Sequence, residues 1–327
     1  MIHLPSLQQL RFLAAIAEHR HFGRAASACA VTQSTLSAGI QELEKRLGVV
    51  LVERSRRGVN LTPLGAEVAA RGQRLLRDAK DLLEVVQSAR EPLVGLLRLG
   101  VIPTIGPYLV PAMMPGLVQK FPKLQLYLRE EQTAPLLEKL AADQLDVVAL
   151  ALPYDVSRLE VMELAEDPLF VVLPRTHPLA EASRIKREWL ADQNLLLLED
   201  GHCLRRHALE ACRFSAPAQN EVFQGTSLRT VIQMAVGGLG VTLAPQLALP
   251  TELPPDGSLL ARPLDAEAPP RRIALAWRAS AVRKEDFRLL GDFMKSVLAA
   301  ILRTPFRQGL VAPLPSARAM TKRSMKV

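Results

Sequence analysis

Three runs of apolar side chains at helical spacing crowd into the first forty-seven residues with only short gaps between them, which commits this N-terminus to a compact three-helix unit. Ser6 can cap a helix carrying Leu7, Leu10, Leu13, Ala14 and Ala17 on one side. Phe22, Ala25, Ala26 and Cys29 follow at i, i+3, i+4 and i+7, and Cys29 on that stripe reads as a structural residue. After a tight turn at Ala30-Val31, Thr32 caps a third helix with the stripe Leu36, Ile40, Leu43 and Leu47. Its opposite edge begins with Gln33, Ser34, Thr35, Ser37 and Ala38. These side chains are small or hydrogen-bonding, as a helix lying in the major groove of DNA requires.

Beyond Gly48 the chain turns extended, Val49 to Arg54 and then Val59 to Leu61, around Ser55-Arg56-Arg57-Gly58. Two short strands about a basic glycine turn form a wing, with Arg54, Arg56 and Arg57 placed for phosphates. The alternative is a three-helix domain with a hairpin and no nucleic-acid role; the polar helix start and the arginine turn argue against it. Charge agrees: of a net +8, residues 303–327 hold six basic and no acidic side chains, and residues 1–61 hold eight against four. The basic excess therefore sits at the two ends. The tail 304–327 has no apolar period and reads as flexible, either simply solvated or in non-specific contact with DNA.

The pattern Phe22-Gly23-Arg24-Ala25-Ala26, Val31-Thr32-Gln33-Ser34-Thr35-Leu36-Ser37, Ile40-Gln41-Glu42-Leu43-Glu44, Leu47-Gly48-Val49 and Leu51-Val52-Glu53-Arg54 closely resembles the LysR-type transcriptional regulators. It departs from them at Ser34, where proline is usual, and at Gly39, where a polar residue is common.

Thr62-Pro63 is a strong helix start, and the helical pattern runs on to about Ser88. Val68, Gly72, Leu75, Ala79, Leu82, Val86 and Ala89 alternate spacings of four and three, a heptad seam along which two chains can pair. A lone helix packed on its own domain is the alternative. Pairing suits the reader, since dimers contact two half-sites.

After Glu91-Pro92 the rhythm becomes strand (Leu96–Ile102), helix (Pro107–Phe121), strand (Lys123–Glu131), helix (Pro135–Ala142) and a near-continuous apolar strand (Leu145–Ala151). A second set follows: a strand at Leu169–Leu173, a helix around Trp189, a strand at Leu195–Leu198, a helix after Gly201, and strands at Val222 and Val241. Ile273–Trp277 and a helix Lys284–Leu302 return to the first half. The expected class is α/β with an N-terminal all-α winged helix-turn-helix, a long linker helix and two effector lobes sharing a cleft. Such a pair of lobes resembles the periplasmic-binding-protein-like effector domain of LysR-type regulators. The expected division is reader 1–61, linker 62–91, lobe I from 92–165 and 269–303, lobe II 166–268, and tail 304–327. Gly237-Gly238-Leu239-Gly240 follows a helix and precedes a strand, the reverse of a dinucleotide loop, so it reads as a helix cap.

Three cysteines are too few for a secreted disulfide scaffold. Asp200 can cap a helix with Cys203 in its first turn, where the helix dipole together with His202, Arg205 and Arg206 would lower the thiol pKa, while Glu199 and Asp200 oppose that effect. Composition alone leaves a reactive and an inert Cys203 both open. Cys212 lies nine residues on, roughly 13 Å along an intact helix and on its other face, whereas a disulfide needs α-carbons within roughly 7 Å. A bond between them would require the segment to unfold and repack.

Glu18-His19-Arg20-His21-Phe22, the run Ile102 to Leu109 and the run Leu198 to Leu204 resemble the OxyR subfamily, the peroxide-sensing branch of the LysR type. That resemblance implies that Cys203 is oxidised by hydrogen peroxide to a sulfenic acid, that Cys212 resolves it to a disulfide, and that a thiol reductant resets it. It implies that Thr104, Thr133 and His202 hold the peroxide, that the regulator forms a homotetramer, and that it recruits RNA polymerase to promoter DNA. At Arg206-His207 the subfamily commonly carries Asp-Gln.

The expectation is thus a cytoplasmic regulator, not an enzyme, needing no cofactor or metal and no membrane. The start lacks a basic, long-apolar signal segment, and the longest uncharged stretch, Val231–Pro250, holds three Gly and two Pro. Two other readings remain open: a regulator answering a small organic acid between the lobes, and a thiol peroxidase using the N-terminal unit only to dimerise.

Overall fold

The computed structural model describes residues 4–55, 58–88, 91–212, 224–265 and 269–303. They belong to two compact units, Met1–Ala89 and Arg90–Val327.

In the first unit, α1 (Leu7–His19) starts on a capping box. Gln9 N donates to Ser6 Oγ at 3.2 Å and Ser6 N donates to Gln9 Oε1 at 3.0 Å, a cap of the kind that contributes about 1 kcal/mol. His21 caps α2 (Phe22–Ala28), and Thr32 caps α3 (Gln33–Leu47) by accepting from Thr35 N at 3.2 Å. The core gathers Leu10, Phe12, Leu13, Ile16, Ala25, Ala26, Leu36, Ile40 and Leu43. Leu7 and Leu47, expected on the stripes, are exposed because they occupy the outermost turns of their helices, beyond the core. Cys29 is buried as the stripe implied.

The wing is β1 (Val52–Ser55) paired antiparallel with β2 (Gly58–Leu61), Val52 opposite Leu61. Pairing starts three residues later than the apolar run, because the Glu44 carboxylate accepts from Leu51 N at 2.8 Å and Val52 N at 3.0 Å and ties this stretch to α3. Thr62 then opens α4 (Pro63–Ser88), accepting from Gly65 N at 2.9 Å. Along the seam, Gly72 faces α1 of its own chain: a Cβ there would lie 3.2 Å from Leu10. Val68 packs on the reader core. Further along the seam, Leu75 and Leu82 are 51% and 66% exposed. Ala89 lies outside the described residues.

The second unit holds two five-stranded sheets. The first, in the order β4-β3-β5-β12-β6, combines β3 (Gly95–Val101), β4 (Leu124–Glu130), β5 (Val147–Leu152), β6 (Leu159–Asp167) and β12 (Arg271–Arg278). Helices α5 (Gly106–Lys120) and α6 (Thr133–Ala141) connect its parallel strands, and α10 (Lys284–Arg303) packs against α5 and β6. The second, in the order β11-β7-β10-β8-β9, combines β7 (Leu169–Pro174), β8 (Leu195–Leu198), β9 (Gln224–Gly225), β10 (Val241–Pro245) and β11 (Leu259–Pro263). It carries α7 (Cys203–Cys212), α8 (Leu228–Val236) and a short α9 (Leu249–Glu252).

The chain crosses between sheets at Pro168 and returns between Pro263 and Arg271. Strands β6 and β11 were not anticipated. Both are edge strands, and the glutamates at 160, 163 and 166 break the apolar pattern of β6. The helix expected around Trp189 is a single 3-10 turn, Arg187–Leu190. The strand expected at Val222 lies outside the described residues. Gly237 closes α8 ahead of β10, so the glycine run is a helix cap.

Candidate functional site

The carboxyl ends of β3, β4 and β8 converge, which is where ligand chemistry sits in an open α/β sheet. They bring Ile102, Pro103, Thr104, Gln132, Thr133, Gly201, His202 and Cys203 around one small hollow, too tight in this conformation for a water-sized molecule. Gly201 makes the approach possible. Its φ is +93°, and a Cβ on it would sit 2.4 Å from Gln132 Oε1, so a side chain there would be strained in its backbone and would displace the Gln132 side chain. The four residues expected to meet, Thr104, Thr133, His202 and Cys203, are together and buried.

Helix α7 starts at Cys203 itself, with His202 before it, so Asp200 is not the cap that the sequence suggested. Asp200 pairs instead with Arg205 Nε at 2.9 Å, and Arg205 Nη1 donates to the Leu198 carbonyl at 3.1 Å. Arg205 thereby holds the loop rather than the thiol. Arg206 is the nearer charge: its guanidinium lies 5.0 Å from the Tyr154 ring centre, donates to the Pro153 carbonyl and pairs with Glu210.

Burial pushes the Cys203 thiol up, against the opposing pull of Arg271, the Thr133 hydroxyl, Arg206 and the Thr104 hydroxyl. The expected lowering by the helix terminus is thus overturned in this conformation, because desolvation of the thiolate outweighs the assembled positive potential. Thr133 Oγ1 is buried and meets no partner other than the thiol beside it. Burial also lowers His202, and Glu199, 3.8 Å from its Nε2, only partly counters that.

Sequence reasoning missed Arg271. Its side chain is fully buried at the head of β12, bonded to Asp167 Oδ2 through Nε at 3.0 Å and Nη2 at 2.8 Å. Nη1 donates to Thr104 Oγ1 at 2.8 Å and Nη2 to the Thr104 carbonyl at 2.9 Å. Because Thr104 Oγ1 already accepts, its own hydrogen is left to point at the sulfur. Asp167 Oδ1 accepts from Leu247 N at 3.0 Å, so the pair joins both lobes where the chain crosses.

Cys212 occupies the far end of α7, buried at 4% exposure. Its thiol is pushed up to about 12 by burial, with Arg187 lowering and Asp265 raising it. The two cysteines are free thiols at opposite ends of one intact helix. Beside Cys203, an open cleft of about 270 Å³ is lined by Tyr154, Asp200, Arg205, Arg206 and Leu209 among others.

The candidate nucleic-acid surface is the start of α3. Gln33, Ser34, Thr35 and Ala38 are exposed and Ser37 half-buried. Thr32, Ser34 and Thr35 share a cluster of hydroxyls, Thr32 Oγ1 lying 2.9 Å from Ser34 Oγ and 2.8 Å from Thr35 Oγ1. Arg54 sits in β1 opposite Val59, while Arg56 and Arg57 lie outside the described residues. Among the described residues no group of three or more His, Cys, Asp or Glu could hold a metal, and no helix is long and apolar enough to cross a membrane.

Comparison with known proteins places these two surfaces in context. Residues 7–66 match the bacterial regulatory helix-turn-helix protein, lysR family, and residues 90–299 match the LysR substrate binding domain. The HTH-type transcriptional regulator EstR of Acinetobacter baylyi is 41% identical over 302 residues, covering 92% of this chain and 100% of its own. The DNA-binding transcriptional dual regulator OxyR of Escherichia coli K12 is 38% identical over 291 residues, 89% of this chain and 95% of its own. The solved structure of a full-length OxyR variant from Pseudomonas aeruginosa, 37% identical, overlays with a TM-score of 0.73 over 89% of this chain and 98% of that one.

Proposed function

Because the chain belongs to the LysR family of bacterial helix-turn-helix regulators, we propose that it is a hydrogen-peroxide-responsive transcription regulator of antioxidant genes, switched at Cys203 and Cys212. The observation that carries this reading is the placement of one thiol between two threonine hydroxyls and a fully buried arginine, at the meeting point of two helix N-termini. Hydroxyl donors and positive charge on this scale suit a peroxide whose departing oxygen gains negative charge as its O–O bond breaks.

In the mechanism, peroxide enters as the Gly201–His202 loop gives way, and the Thr104 and Thr133 hydroxyls orient it. Cys203 sulfur attacks one oxygen and water leaves, giving a sulfenic acid. Helix α7 then unwinds, since roughly 13 Å of helix separates the two cysteines, and Cys212 displaces water to close a disulfide. A thiol reductant returns both to thiols. Repacking of lobe II alters how paired chains present their readers. Gln33, Ser34, Thr35 and Ser37 then meet base edges while Arg54, Arg56 and Arg57 meet phosphates.

The proposed assembly is a dimer along α4, doubled to a homotetramer, acting on promoter DNA with RNA polymerase in the reducing cytoplasm. The proposed division is reader 1–61, linker 62–91, lobe I 92–165 with 269–303, lobe II 166–268 and tail 304–327. Arg205 modulates through its loop and Arg206 through its charge.

One equivalent of peroxide added to purified protein should consume both Cys203 and Cys212 and shift the footprint on promoter DNA. Both thiols surviving that treatment would sink the reading. The cleft beside Arg206 keeps a second reading alive, a small organic anion as effector. A Cys203→Ser protein that still responds normally in a promoter reporter would favour it.

A further inference from the structure

His207 lies one turn beyond Cys203 on α7, where i and i+4 side chains share a face about 5–6 Å apart. It is 5% exposed, and its ring nitrogens meet no side-chain partner, the Pro153 carbonyl being the one acceptor beside the ring. A buried imidazole so sparsely partnered is costly and calls for a reason. Its surroundings are those of the thiol: Arg271 and Arg206 bear on His207 and on Cys203 alike. Arg271 arrives from β12 already paired with Asp167, Arg206 is paired with Glu210, and the Pro153 carbonyl sits beside the imidazole ring. No carboxylate is among the groups that bear on His207, and the Pro153 carbonyl alone favours its charged form; burial first and the two guanidiniums next outweigh it and push the imidazole down to about 4. It is therefore neutral near pH 7, with a lone pair available.

We propose that His207 is the proton relay for oxidation of Cys203. This rests on the reading of Cys203 as the peroxide-reactive thiol. The thiol is held protonated by burial, so its proton must go somewhere as peroxide arrives. The S–H bond breaks and the proton passes to a ring nitrogen of His207. The sulfur electron pair forms the S–O bond, and the O–O bond breaks with its electrons on the departing oxygen. That oxygen takes the proton back from the imidazolium and leaves as water. Sulfur loses two electrons, the peroxide gains them, and His207 ends neutral. Glutamine, common at this position in the resembling subfamily, can hydrogen-bond there but cannot carry the proton.

The test measures the second-order rate of Cys203 oxidation by hydrogen peroxide, with sulfenic-acid trapping, in the full chain and in His207→Gln, from about pH 5.5 to about pH 8.5. The wild-type rate should vary little over this range, because the relay is neutral throughout it. In His207→Gln the rate should fall by about tenfold or more at pH 7 and climb roughly tenfold per pH unit, tracking the thiolate. If the glutamine variant matches the wild type within about twofold at every pH, the relay is refuted. His207→Asn, checked for native circular dichroism, carries the same test should His207→Gln fold poorly. A wild-type protein inert to peroxide would instead overturn the proposed function itself, so the two failures are distinguishable.

Discussion

Burying a guanidinium costs several kcal/mol unless its partners are complete, and Arg271 shows what completeness takes. Asp167 supplies the countercharge, Thr104 supplies two oxygens, and no part of the arginine side chain reaches solvent. Removing one partner leaves the other buried and unpaired. Arg271→Met should therefore cost about 3–5 kcal/mol of stability in the second unit, read from the urea midpoint. Adding Asp167→Asn should recover part of that loss, since the orphaned charge is gone while an acceptor for Leu247 N remains. A single variant within about 1 kcal/mol of wild type would mean the pair does not hold the site. None of this was readable from sequence, because Arg271 and Thr104 stand 167 positions apart and a charged residue ahead of an apolar strand carries no local signal. Thr104 and Thr133 entered only through resemblance, for the same reason, whereas His202 stands next to Cys203 and could be read beside it. Cys203 and Cys212 were legible because their spacing on one helix is a local fact.

Elements with strong caps or continuous apolar runs were read nearly to the residue: α4 from Thr62-Pro63 to Ser88, and β8 at Leu195–Leu198. Elements whose apolar pattern is diluted or too short were lost: β6 is interrupted by glutamates on its partly exposed face, and β11 is buried only over Leu259–Ala261. The heptad seam of α4 lies between these cases. Its first turns are occupied by the chain's own α1, through Gly72 and Leu10, which a heptad count cannot foresee. The rest leaves Leu75 and Leu82, seven residues apart, open on one helix. A partner helix pairing along the seam would cover both. Leu82→Lys removes about 1.5 kcal/mol of apolar burial from each of two chains and should weaken self-association by about a hundredfold. Sedimentation equilibrium reads that shift directly. An unchanged association constant would move the interface off α4.

Across the second unit as a whole, ionisable groups buried in their neutral forms set how stability responds to pH. His207 is pushed down to about 4 from an ordinary value of 6.5, and His202 is lowered too. Between those values the unfolded chain binds protons that the folded chain refuses, so stability falls as pH drops below about 6.5. His207 alone contributes roughly 3 kcal/mol to that loss by pH 4. At the alkaline end the sign of the charge reverses while the logic holds. Burial raises the Cys203 and Cys212 thiols, Cys212 to about 12, so above about pH 9 the unfolded chain sheds protons that the folded one keeps, and stability falls again. The expected profile is a dome with its plateau between about pH 6.5 and about pH 8.5. Both tryptophans, Trp189 and Trp277, belong to this unit, so urea titrations followed by fluorescence report it without the reader. His207→Gln should make the acid limb shallower, leaving the part carried by His202, and keep the alkaline limb in place; Cys212→Ala should make the alkaline limb shallower, leaving the part carried by Cys203 and by Tyr108, which burial also raises. An acid limb of full depth in His207→Gln would show that other groups carry the acid sensitivity and that the imidazole is not buried neutral.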